Sequence, residues 1–217
     1  MTFRGFPRDA LAFYEELETH NAREFWLANR ERWQTAVRTP MEELLAELDE
    51  FGPFRVFRPY HDVRFAKNRP LYKTHQGAYG EAEGGTGYYV QIGAGGMMAD
   101  VGYYAMATDQ LARLRAAIAD DGTGPEVESL VADAVRRGYH VASVGALKTA
   151  PRGVRRDHPR IELLRLKGLS VRQTFGAPRW IHTRQAVERI RASWTGAAEL
   201  CAWLDRHVGP STLPPEW

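Results

Sequence analysis

The sequence predicts an α+β fold: a single domain with a mainly antiparallel sheet, packed helices and a long C-terminal helix. Three observations carry this. Apolar residues recur at helical spacing towards both ends of the chain. β-branched and aromatic residues, with glycine turns between them, concentrate in the middle. The order of these segments lacks the regular strand–helix–strand alternation of a doubly wound sheet. At 217 residues, 44% hydrophobic and 26% charged, the chain can bury a sizeable core without disulfides. We expect one domain over residues 1–208 and an irregular tail over 209–217.

The elements follow in order. Pro7 opens a helix displaying Leu11, Tyr14 and Leu17 and ending near His20. Asn21, with Glu24 three residues on, reads as a capped start for a helix carrying Phe25, Trp26, Trp33 and Val37. Those aromatics have core spacing. Pro40 breaks that helix, and Thr39-Pro40 caps a new one through Leu44, Leu45 and Leu48. Phe54–Val56 and Val63–Phe65 read as short strands around Pro59-Tyr60-His61. Gly77–Gly87 reads as a glycine-rich loop. A hairpin follows: Tyr88–Ile92, a turn at Gly93–Gly96, and a strand over Val101–Ala105. Thr108 and Gly124-Pro125 start two helices, and Tyr139–Val144 reads as a strand. A short helix runs from Pro159 to Leu166, and Leu169–Phe175 is extended. Ala186, Val187, Ile190, Trp194, Ala197, Cys201 and Leu204 mark the C-terminal helix, stopped by Gly209-Pro210.

Composition narrows the function classes. The N-terminal residues lack the apolar centre of a signal peptide, and no apolar run approaches a membrane span, so we expect a cytoplasmic protein without a membrane partner. The one cysteine, Cys201, rules out an internal disulfide and reads as a buried small hydrophobe. The seven histidines form no HExxH or similar pair, so no local metal site is expected. Gly93–Gly96 fits a hairpin turn better than a phosphate loop, and no GxSxG nucleophile elbow occurs.

The formal charge of +2 hides a segregation: residues 55–75 sum to +5 and residues 148–172 to +6, so the rest of the chain is acidic. Such clustering concentrates anions. In the first stretch Arg58, Arg64, Lys67, Tyr72 and Lys73 are ligand-binding candidates, because arginine and lysine donate charge-assisted hydrogen bonds to phosphate or carboxylate. His61 and Asp62 are the acid–base candidates there; a surface Asp62–Arg64 pair is the structural alternative. In the second, Arg165 and Lys167 are binding candidates and His158 an acid–base candidate. A helix cap is the structural alternative for Asp157 and His158.

The words Asn21-Ala22-Arg23-Glu24-Phe25-Trp26 with Arg30, Asp62-Val63-Arg64-Phe65-Ala66-Lys67 with Tyr72-Lys73-Thr74-His75, and Asp157-His158-Pro159-Arg160 with Leu163–Gly168 occur in that order. In them the sequence resembles an uncharacterised, mainly bacterial family, the domain of unknown function 2461. His61 stands where that family more often has arginine, and Arg69-Pro70-Leu71-Tyr72-Lys73 shifts its proline. The resemblance implies no activity, cofactor or catalytic residue.

The reading this supports is a pocket for a small anionic ligand where the two basic stretches meet. Catalysis by His61, Asp62 or His158, with or without a divalent ion, stays open. Nucleic-acid binding ranks below it because the net charge is only +2. A non-catalytic interaction module is the third reading, favoured if the cations pair internally. Cofactor and oligomeric state are left open.

Overall fold

The structure is a computed structural model that describes residues 2–61 and 70–214. Its strands form one six-stranded sheet in the order β1-β2-β3-β4-β6-β5. They are β1 (Phe54–Val56), β2 (His75–Glu81), β3 (Gly87–Gly93), β4 (Gly96–Tyr103), β5 (His140–Ala142) and β6 (Leu169–Gly176). The two edge strands pair antiparallel with their neighbours, Arg55 opposite Tyr79 and Val141 opposite Val171. The fold is α+β with an antiparallel sheet. The expected second strand over Val63–Phe65 lies outside the described residues.

The chain gathers into two compact units. The first comprises Met1–Gly80, Tyr89–Ala99 and Thr174–Ala192. It opens with α1 (Asp9–Thr19) and α2 (Arg23–Trp33). Arg32 of α2 fixes this pair, reaching Asp9 at 2.7 Å and Glu16 at 2.8 Å. Phe3, Phe6, Phe13, Tyr14 and Leu17 are buried here, with Phe13 edge-on to both Tyr14 and Trp26.

Pro40 does not end the helix. A π-helical turn over Gln34–Arg38 carries α2 directly into α3 (Thr39–Ala46). A proline lacks an N–H and its ring crowds the carbonyl four residues back; widening the preceding turn removes both conflicts. Thr39 makes no cap, because the backbone before it is already helical.

Nor is Gly77–Gly87 a loop throughout. Gly77 and Gly80 lie within β2, where a β-carbon at Gly77 would meet the Tyr89 ring and one at Gly80 the Phe54 ring. Those glycines make room for aromatic rings of adjacent strands rather than for a turn. The true connection is short, with Ala82 N–H donating to the Thr86 carbonyl at 2.9 Å.

The second unit comprises Glu81–Tyr88, Asp100–Gln173 and Ser193–Trp217. It holds α4 (Thr108–Ala119), α5 (Gly124–Arg136) and the short α6 (Ile161–Leu164). The long C-terminal helical stretch consists of α7 (Gln185–Thr195) and α8 (Ala198–His207), with a turn at Gly196-Ala197 between them. Helix α8 packs on α4 and α5, burying Trp203 and Leu204. Asp205 of α8 accepts hydrogen bonds at 2.8 Å from Thr86 and from Tyr103. Cys201 is buried, and burial pushes its thiol up to about 12, so it is inert as a nucleophile. The stretch after Gly209 is irregular but tied down: Asp109 accepts from the Thr212 N–H at 2.9 Å, and Arg113 donates to the Pro210 carbonyl at 2.7 Å.

Candidate functional site

A cleft of about 650 Å³ in the first unit is walled by one face of α2 and by a two-stranded arm. On a helix, positions three, four and seven apart share a face. Arg23, Trp26, Leu27, Arg30 and Trp33 therefore align along α2, and all five line the cleft. Acidic Glu24 in the first turn and basic Arg30 and Arg32 in the last complement the helix dipole.

The arm is Pro59-Tyr60-His61 running against Leu71-Tyr72-Lys73. Tyr60 and Tyr72 form an antiparallel bridge. The His61 N–H donates to the Leu71 carbonyl at 3.0 Å, and the Lys73 N–H to the Pro59 carbonyl at 2.7 Å. Proline is tolerated because only its carbonyl is used.

Asn21 sets the width of the cleft. It is not the N-cap of α2: that position is Ala22, without a side-chain cap. The Asn21 amide instead clamps the backbone of Tyr72, its nitrogen donating to the Tyr72 carbonyl at 2.9 Å and its oxygen accepting the Tyr72 N–H at 3.0 Å. Tyr72 is thereby laid on Trp26, with ring centroids 4.5 Å apart and planes 10° from parallel. Trp33 sits against Trp26 at 5.3 Å. Trp26 and Trp33 are each only 7% exposed, yet the cleft also shows water Leu27 (61%), Tyr60 (49%) and Leu71 (44%). Three exposed large apolar side chains thus surround one concavity, more exposed apolar surface than isolated surface residues would give.

The rim is cationic. Arg23 and Arg30 are exposed, and among the described residues neither guanidinium has a hydrogen-bond or ion-pair partner. Arg58 lies over the Tyr60 ring at 5.2 Å, and the Lys73 ammonium over the Phe57 ring at 5.2 Å. Burial, and then the Arg58 charge, hold Lys73 below the usual lysine range. Burial likewise lowers His75, with the positive charges of Lys73 and His61 adding to it. Positive charge is thus concentrated at this end of the arm.

The sequence-derived candidates divide between the units. Arg58, His61, Tyr72 and Lys73 come together on the arm. Asp62, Arg64 and Lys67 lie outside the described residues. Arg165, Lys167 and His158 belong to the second unit, where internal pairing dominates. Arg165 donates to the Leu147 carbonyl at 2.7 Å and pairs with Glu162 at 3.2 Å. Arg155 pairs with Asp157 at 2.6 Å, and Arg172 with the buried Asp100 at 2.8 Å. Arg160, 6% exposed, donates to the Ile118 carbonyl at the end of α4. His158 accepts the Arg160 N–H at 3.1 Å, a capping contact before α6. The side chains of Lys148, Arg152, Arg156 and Lys167 are exposed and without a partner among the described residues.

Composition-level reasoning misses Arg23, Arg30, Trp26 and Tyr60 as lining residues, because it seeks charge density rather than shared faces. The signal is the spacing of Arg23 and Arg30 across Trp26. Among the described residues no group of three histidine, cysteine or acidic side chains could hold a metal ion. None of the described helices is long and apolar enough to cross a membrane.

Searches of curated proteins and of solved structures each find no match to this chain. A family model described as "Conserved hypothetical protein (DUF2461)" matches residues 9–203, so the resemblance seen in the three sequence words extends over most of the chain. The chain belongs to the DUF2461 family.

Proposed function

We propose that this protein binds a small anionic ligand in the cleft between α2 and the arm formed by residues 59–61 and 71–73. The observation that carries the reading is the pair Arg23 and Arg30, two exposed guanidinium groups without partners among the described residues, flanking an exposed apolar floor on one helix face. Guanidinium forks match phosphate and carboxylate geometry, and a cleft of this volume suits a metabolite-sized molecule. Arg58 and Lys73 add positive charge from the arm. Arg64 and Lys67, three and six residues along the chain from His61, stay in the proposal on sequence grounds. His61 lines the cleft and is the acid–base candidate if binding leads to chemistry.

The test is thermal unfolding against a panel of phosphates, nucleotides and carboxylates, with Arg30→Ala and Arg64→Ala alongside. A ligand at about one hundred times its Kd stabilises by about 2.7 kcal/mol, which raises Tm by roughly 5–10 °C for a chain of this size. The reading expects such a shift with at least one anion and its reduction in Arg30→Ala. A flat panel, with both variants melting like the wild type, contradicts it.

A further inference from the structure

Resting on the anion reading above, we infer that the ligand carries a planar aromatic ring as well as its anionic group: a nucleotide or an aromatic carboxylate, rather than an aliphatic anion such as a sugar phosphate. The floor and walls of the cleft make the case. A site for a plain phosphate or sugar phosphate needs donors all round, with hydroxyl-binding polar groups. Among the described residues, the surface between the cations is instead Trp26, Tyr72, Tyr60, Leu27 and Leu71.

Geometry along α2 separates the two chemistries. Arg23 and Arg30 are seven residues apart, about 10.5 Å along the helix axis, and Trp26 falls roughly midway. A ring seated on the exposed Leu27 and Tyr60 surface beside Trp26 therefore lies between two arginines whose Cα atoms are about 4.5 and 6 Å along the axis from that of Trp26, within reach of long side chains on either side. The rings are held before any ligand arrives. Asn21 fixes Tyr72, Tyr72 lies on Trp26 at 4.5 Å, and Arg58 lies over Tyr60 at 5.2 Å. Preformed aromatic surface loses little conformational freedom on binding, and it discriminates flat π-systems from aliphatic ones through stacking and edge-to-face contacts. Tyr60, Leu27 and Leu71 are 49%, 61% and 44% exposed, the apolar area a ring would cover. The arginines alone would attract any anion; the ring contacts select among them.

The test is isothermal titration of the full chain with two matched pairs: AMP against ribose 5-phosphate, and indole-3-acetate against acetate. Adenosine serves as the uncharged control. Stacking on an aromatic side chain is worth about ten-fold or more in affinity per ring. The inference expects the ring-bearing member of one pair to bind at least about ten-fold more tightly than its ring-less partner, and which pair responds identifies phosphate or carboxylate as the anion. Tyr60→Ala should close most of that gap, the ring-bearing ligand losing several-fold more affinity than the ring-less one. Leu27→Ala, at the most exposed of the large apolar lining side chains, should weaken ring-bearing ligands in the same selective way. Equal binding of both members of a pair overturns the ring assignment and leaves the anion reading standing. Adenosine binding as tightly as AMP overturns the anion reading, and absence of any binding overturns both. Far-ultraviolet circular dichroism and Tm of each variant separate lost contacts from lost fold.

Discussion

Single residues in this protein act through what surrounds them. Lys73 and His75 stand two apart in sequence, both partly buried, both depressed by burial first and by neighbouring cations second. For His75 this fixes a pH dependence. Its folded pKa lies below the unfolded value of 6.5, so between the two values the unfolded chain binds more protons, and stability rises with pH across that window. The contribution is fully present above pH 6.5 and is lost as pH falls through the window towards the folded value. His75→Gln should therefore lose less Tm than the wild type between pH 7.5 and 5.0, measured by thermal unfolding at both values. An equal loss in both proteins would show that His75 is not depressed. The same electrostatics explain why arginines rich in sequence can be poor in availability. Arg165 and Arg172 look like donors in a basic stretch, but one is bonded to Leu147 and Glu162 and the other to Asp100.

At the scale of elements, the predicted helices and the Gly93–Gly96 hairpin were readable because hydrophobic period and turn chemistry agreed. Three features were not, and each has a local cause. Pro40 reads as a break, but a π-helical turn absorbs it. Gly77 and Gly80 read as a loop, but they accommodate rings supplied by Tyr89 and Phe54, which no local window contains. Asn21 reads as a helix cap, but its amide serves a residue 51 positions away. That last contact joins α2 to the arm, so its removal tests the architecture of the cleft. Asn21→Ala removes two hydrogen bonds and should destabilise the protein by about 1–2 kcal/mol. It should also weaken ligand binding by freeing Tyr72 from Trp26. Chemical denaturation and titration with AMP measure the two effects. Unchanged stability together with unchanged affinity would mean that the clamp positions nothing.

Across the whole molecule, charge alone proved an incomplete guide to the site. The arm half of the first basic stretch, Arg58, His61, Tyr72 and Lys73, is gathered in one place, as its density suggests. The second stretch carries a larger excess of positive charge over residues 148–172, yet Arg155, Arg160, Arg165 and Arg172 all have acidic or carbonyl partners within the second unit. The remaining half of the cleft comes from α2, whose net charge is unremarkable and whose arginines matter because a helix repeat brings them beside tryptophans. Shared faces, not composition, would have revealed it.

The most direct test of where an anion binds is a two-dimensional ¹H–¹⁵N NMR titration with AMP. The largest shifts should fall on the Trp26 and Trp33 indole N–H, the Arg23 and Arg30 side-chain N–H, and the backbone amides of Tyr60, His61, Leu71, Tyr72 and Lys73. Largest shifts over residues 145–167, with those of α2 and the arm unmoved, would contradict it.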